Sequence, residues 1–133
     1  MIGVVIAAHG KLAEELVRTA ETVVGPLEQA RAVSVVATQP DMRGELKDAI
    51  RAVDTGDGVL LLTDLMGGSP TNLCLSFLTE RRVEVVTGVN LPMLLKLGGL
   101  RAQAKSIDQL ARELAEAGQK SIGHASELLR SRL

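Results

Sequence analysis

Aromatic residues are almost missing from this chain: Phe77 is the only one, and there is no tryptophan or tyrosine. Bases and sugar rings therefore have no platform to stack on, which disfavours nucleic-acid and lectin functions. The core has to be built from Val, Leu, Ile and Ala. An excess of charge of one sign is missing too. Fifteen basic and 16 acidic residues leave a net charge of −1, so there is no electrostatic case for binding DNA or an anionic membrane. A single cysteine, Cys74, cannot form an internal disulfide, which points to a reducing compartment. Its place beside Leu73 and Leu75 marks it as a small core residue rather than a nucleophile. No segment approaches the about 20 uninterrupted apolar residues that a membrane-spanning helix needs; LMGGSP and LPMLLKLGGL are broken by Gly, Pro or Lys. The opening MIGVVIAAHG has no basic stretch, and its apolar run is too short for a signal peptide. A cytoplasmic location is expected.

What the chain does have suits one globular domain over residues 1–133. Its 46% hydrophobic and 23% charged residues can bury a core without disulfides or metal. Short β-branched apolar runs alternate with helical spacing. Ile2 to Ala7 reads as a buried strand ended by His9-Gly10. Lys11 to Val24 reads as a helix stopped by Gly25-Pro26. Arg31 to Ala37 is a second strand, and Asp41 is offered as N-cap of a helix over Arg43 to Val53. Val59 to Thr63 is a third strand. The loop from Asp64 to Ser69 enters a helix with Pro70 in its first turn. Val83 to Thr87 is a fourth strand, followed by a short helix from Met93 to Leu97 that Gly98-Gly99 ends. Ser106 or Asp108 caps a last helix, which Gly118 stops, with an extended piece near Lys120 to His124. Buried strands alternating with helices imply an α/β, doubly wound, mostly parallel sheet.

In open sheets of this kind ligands bind beyond the carboxyl ends of the strands. Three loops there carry polar residues: His9-Gly10, Asp64 with Gly67-Gly68-Ser69, and Gly88 with Asn90. Histidine titrates near neutrality and has two distinct ring nitrogens. A neutral imidazole can attack phosphorus with one nitrogen while the other donates to a carboxylate, and Asp64 is the natural orienting partner. Gly67, Gly68 and Ser69 form a candidate anion cradle, since glycines let backbone N–H groups approach a ligand. Ser69 is read either as the N-cap of the following helix or as a hydroxyl donor to a phosphoryl oxygen. GGSPT is no Walker A loop, and Thr71 breaks the G-x-S-x-G pattern. His9, His124 and Cys74 make no convincing zinc set; His124 reads as a solvated or packing residue.

The segments VVIAAHG, LLTDLMGGSPTN and VVTGVNLPML, in this order, resemble the enzyme IIA components of the mannose family in the bacterial sugar phosphotransferase system. The likeness covers essentially the whole chain. It implies four parallel strands in the order 2-1-3-4, plus an antiparallel strand exchanged between subunits of a homodimer, here near Lys120 to His124. It implies that His9 takes phosphate from the phosphohistidine of the carrier HPr and passes it to an enzyme IIB component. Asp64 would position the histidine, and Ser69 would hold the phosphoryl group with the amides around Gly67 and Gly68. Asn90 and Met93 match a segment close to the site. Leu65, Met66, Leu91 and Met93 are candidates for an apolar partner surface, with core packing as the other reading, and Asn90 is expected at the same partner interface. No metal, nucleotide or other cofactor is required, and any membrane association is indirect, through a permease. Some members continue through an Ala/Pro-rich linker into a IIB domain; this chain stops at Leu133, so a IIB component on a separate chain is expected. A regulatory phospho-acceptor using the same His9 chemistry is the main alternative, and an α/β module in which His9 is incidental is a third.

Overall fold

The computed structural model describes residues 1–36 and 38–132. Strands β1 (Gly3–His9), β2 (Ala30–Val35), β3 (Val59–Thr63) and β4 (Val83–Val86) alternate with helices α1 (Leu12–Val24), α2 (Met42–Val53), α3 (Ser69–Leu75), α4 (Leu91–Gln103), α5 (Ile107–Lys120) and α6 (Ala125–Arg130). The strands form one parallel sheet in the order β2-β1-β3-β4, as expected. No helix among the described residues is long and apolar enough to cross a membrane.

The sheet is covered on both faces, and the period-two alternation of β1 shows how. Val4, Ile6 and Ala8 point into a core shared with α1, α4 and α5, whereas Val5 and Ala7 point into one shared with α2 and α3. All five are fully buried, which is why the strand reads as a continuous apolar run. Asp41 caps α2 as expected, its Oδ1 accepting from the Gly44 N–H at 3.2 Å. Ser106, rather than Asp108, caps α5 and accepts from the Gln109 N–H. Cys74 is a core residue whose thiol burial pushes up to about 12. The lone Phe77 is fully buried beneath the Arg43 guanidinium.

Four expectations need correction. The second strand ends at Val35, and its expected last residue, Ala37, lies outside the described residues. Gly98-Gly99 do not end α4, which runs on to Gln103. Each glycine costs a helix about 1 kcal/mol relative to alanine, but continuing the helix past them lets Leu100 pack against the core. The last turn is also anchored, since buried Arg101 donates from Nη1 to the Ile2 carbonyl at 3.2 Å. Nor does Gly118 end α5. It is buried inside the helix because a side chain there would run into Met93. Finally, the stretch from Lys120 to His124 is not an extended strand. Lys120 belongs to α5, Ser121 caps it, residues 122–124 pair with no strand, and α6 follows. Among the described residues the sheet has no antiparallel member.

Candidate functional site

Strands β1 and β3 are neighbours, with Ala7 opposite Thr63 at the carboxyl end of the pairing. His9 lies two residues beyond Ala7, and Asp64 one beyond Thr63. From here the chain leads from β1 to β2 on one side and from β3 to β4 on the other. The crevice between the diverging connections is the topological switch point of the sheet.

His9 and Asp64 meet there. Asp64 Oδ2 accepts from the backbone N–H of His9 at 3.0 Å and lies 2.7 Å from His9 Nδ1. Its Oδ1 accepts from the Leu65 N–H at 3.0 Å. The Asp64 side chain is 9% exposed and the His9 ring 50% exposed. Burial pushes the Asp64 carboxyl up. The His9 amide and ring, the charge of the ring when protonated, and the Leu65 amide pull it down and prevail, so it rests below its ordinary value. An ionised carboxylate can only accept. Nδ1 therefore carries the proton of the neutral ring, and Nε2 keeps its lone pair.

The two glycines of the following loop serve different ends. Gly67 has φ +84°, a backbone conformation that side chains resist, although open space surrounds it. Gly68 has an ordinary φ of −86° but stands against the imidazole. A Cβ on Gly68 would sit 2.8 Å from His9 Cε1 and 3.5 Å from Nε2. Only a bare backbone fits beside the free nitrogen.

Gly68 also occupies the N-cap position of α3, without a side-chain capping bond. Ser69, the first residue of that helix, is exposed. Its expected role as N-cap is therefore corrected: the cap position is one residue earlier, and the Ser69 hydroxyl is left to the surface. The backbone N–H groups of Gly68 and Ser69 have no backbone acceptor among the described residues.

The expected partner-facing residues divide, and Leu91 is partly buried against the core shared by α1, α4 and α5. Leu65 and Met66 sit on the Asp64 loop and are 50% and 72% exposed, so they border the site as apolar surface. Met93 is 2% exposed. It packs inward against Gly118, so core packing accounts for it and its expected place on a partner surface is not supported. Half-buried Asn90 is engaged internally: its Oδ1 accepts from the Met93 N–H, capping α4, and its Nδ2 donates to the Gly118 carbonyl of α5. His124 lies on the surface, with Nδ1 2.8 Å from Glu127 Oε2.

Sequence reasoning passed over Thr63 and Thr71, which are fully buried and joined hydroxyl to hydroxyl beneath the Asp64 loop. One available signal was chemical. A hydroxyl at the end of the otherwise apolar VLLLT has to find a partner once it is buried.

Comparison with known proteins agrees with this architecture. Residues 3–124 match the family EIIA-man, described as the PTS system fructose IIA component. The mannose-specific EIIAB component of the phosphotransferase system of Escherichia coli K12 is 32% identical over 124 residues, covering 91% of this chain and 38% of the relative's length. The chain thus spans well under half of that protein. The fructose-specific EIIA component of Bacillus subtilis is 30% identical over 132 residues, covering 97% of this chain and 90% of the relative. The crystal structure of a PTS IIA protein associated with the fucose utilization operon of Streptococcus pneumoniae superposes with a TM-score of 0.82 at 29% identity, covering 96% and 95% of the two chains. The family match over nearly the whole chain and the shared fold lead to one conclusion: this chain belongs to the EIIA-man family, the IIA phosphocarrier components of the bacterial sugar phosphotransferase system.

Proposed function

We propose that this protein is a phosphohistidine carrier that accepts a phosphoryl group from HPr on His9 Nε2 and passes it to an enzyme IIB component. One observation carries the reading: Nδ1 of His9 is held by the Asp64 carboxylate, while the free Nε2 faces the bare backbone of Gly68.

In the step proposed, the Nε2 lone pair attacks phosphorus as the P–N bond of the donor's phosphohistidine breaks, and the bonding pair returns to the donor's imidazole. The His9 ring, now substituted on Nε2 and protonated on Nδ1, carries a positive charge that the Asp64 carboxylate offsets. The proton on Nδ1 stays where it is. The equatorial phosphoryl oxygens are placed near the Ser69 hydroxyl and the amides of Gly67 and Gly68. Catalysis is then positioning plus electrostatic stabilisation, which suits a transfer whose transition state asks little covalent chemistry of the protein. Transfer to IIB repeats the step in the opposite sense, and Leu65 and Met66 offer both partners an apolar contact.

Further parts of the proposal are a cytoplasmic location, indirect association with a membrane permease, and a homodimer. In support of the dimer, α6 has no buried residue in the single chain, and Ile122, Leu128 and Leu129 are exposed. The test of function is incubation with phosphorylated HPr. His9 becomes labelled, His9→Ala does not, and the label moves on to a IIB component. Full labelling of His9→Ala removes the assignment.

A further inference from the structure

The threonine pair beneath the site has a determined hydrogen-bond direction. Thr71 Oγ1 lies 2.5 Å from the Leu65 carbonyl and 2.6 Å from Thr63 Oγ1. The carbonyl can only accept, so the single hydroxyl proton of Thr71 goes to Leu65. The proton between the two hydroxyls must then come from Thr63. The result is a one-way relay from the end of β3, through the first turn of α3, to the loop in between, with both hydroxyls fully buried.

The relay acts on the peptide that orients Asp64. The Leu65 carbonyl is fixed by Thr71, and the Leu65 N–H binds Asp64 Oδ1. The other carboxylate oxygen holds His9 at both its amide and Nδ1. Thr71 also belongs to the short helix preceded by Gly68, where an added Cβ would meet the Cε1–Nε2 edge of the ring. One hydroxyl therefore ties the Asp64 loop, which holds the imidazole, to the helix that begins beside Gly68.

We infer that Thr71 is a positioning residue for phosphoryl transfer: its hydroxyl, seated by Thr63, fixes the orientation of Asp64 through the Leu65 peptide. This inference rests on the proposed role of His9. It orders the variants. Thr71→Val keeps the shape of the side chain but orphans the Leu65 carbonyl and the Thr63 hydroxyl. Thr63→Val removes a donor but leaves the bond from Thr71 to Leu65 in place. Thr71→Ser keeps the hydroxyl and loses only a methyl group.

The experiment measures the rate of His9 labelling by phosphorylated HPr in these variants, alongside the ¹⁵N spectrum of the His9 ring. Each variant is first confirmed as folded by its circular dichroism. A misplacement approaching 1 Å predicts that Thr71→Val is slowed by about 10- to 100-fold. Its ring signals should show mixed tautomers in place of a fixed Nδ1–H form. Thr63→Val should be slowed less, and Thr71→Ser should restore both the rate and the tautomer, even if its stability is reduced. Wild-type labelling at full rate together with full-rate labelling of Thr71→Val overturns the inference and leaves the proposed function intact. Failure of the wild-type protein to be labelled overturns both. A Thr71→Ser variant as slow and as tautomerically mixed as Thr71→Val also overturns the inference, because it shows that shape rather than the hydroxyl is what matters.

Discussion

Replacing Gly68 with alanine separates the site from the fold more cleanly than any other single change. The backbone at Gly68, φ −86° and ψ 169°, suits alanine, so no conformational strain is introduced. The new methyl carbon instead lands 2.8 Å from His9 Cε1, about 0.7 Å inside the favourable carbon–carbon separation of about 3.5 Å. On its other side, Leu65 Cδ1 at 3.3 Å limits retreat. The imidazole is half exposed and can swing outward, but doing so stretches the 2.7 Å contact of Nδ1 with Asp64. A shift of that size takes the pair out of good hydrogen-bonding geometry. It also leaves the methyl group beside Nε2, where the incoming phosphorus has to sit. The expected result is labelling by phosphorylated HPr slowed by about 100-fold, the scale of a 1 Å misplacement. The thermal midpoint should fall by no more than a few degrees, since only a surface ring has moved. Stopped quench-flow labelling and calorimetry on the same preparation give the two numbers. A wild-type rate for Gly68→Ala would refute the placement of the reacting nitrogen against this backbone.

Other expectations follow from the same geometry. Asp64→Asn should slow labelling of His9. It should also change the acid limb of stability: a carboxyl whose folded pKa is lowered stabilises fully above its unfolded value of about 4, and that contribution fades as pH falls through the folded value. The gap in urea midpoint between wild type and Asp64→Asn should therefore narrow on acidification, and a constant gap contradicts the proposed bonding. Ser69→Ala should leave the melting temperature unchanged, because Ser69 is not the cap of α3. If its hydroxyl serves the phosphoryl group, the loss slows transfer by the equivalent of about 1–3 kcal/mol; an unaltered rate removes that role. Gly118→Ala places a Cβ 2.7 Å from Met93 Sδ in the core and should cost about 1–3 kcal/mol by overpacking, measured as a lower denaturant midpoint, where a gain would show that Met93 has room to move.

Much of this was legible beforehand because the signals were local. The runs at Val59 to Thr63 and Val83 to Thr87 read as strands, and the loops after β1 and β3 were the strand ends that bring a histidine to a carboxylate. The failures came where distant packing overruled local preference. Gly98 and Gly99 look like a helix stop, yet Leu100 and Arg101, packed beyond them, draw α4 on to Gln103. Gly118 looks like another stop, but it is there because Met93 needs the space. For Met93 the core-packing reading holds over the partner-surface one, because its side chain turns inward against Gly118. Ser69 resembles a cap by residue type, whereas the helix starts one residue earlier than a serine cap requires. The Thr63 and Thr71 relay joins two hydroxyls eight positions apart on different elements, and periodicity does not register such a pair.

The account depends most directly on which atom takes the phosphoryl group. Phosphorylating ¹⁵N-labelled protein with HPr and reading the one-bond phosphorus–nitrogen coupling in the histidine ring signals identifies that atom without any mutation. The prediction is a single phosphohistidine, His9, substituted on Nε2 with Nδ1 still protonated. Phosphorus on Nδ1 of His9, on His124, or on no histidine contradicts it.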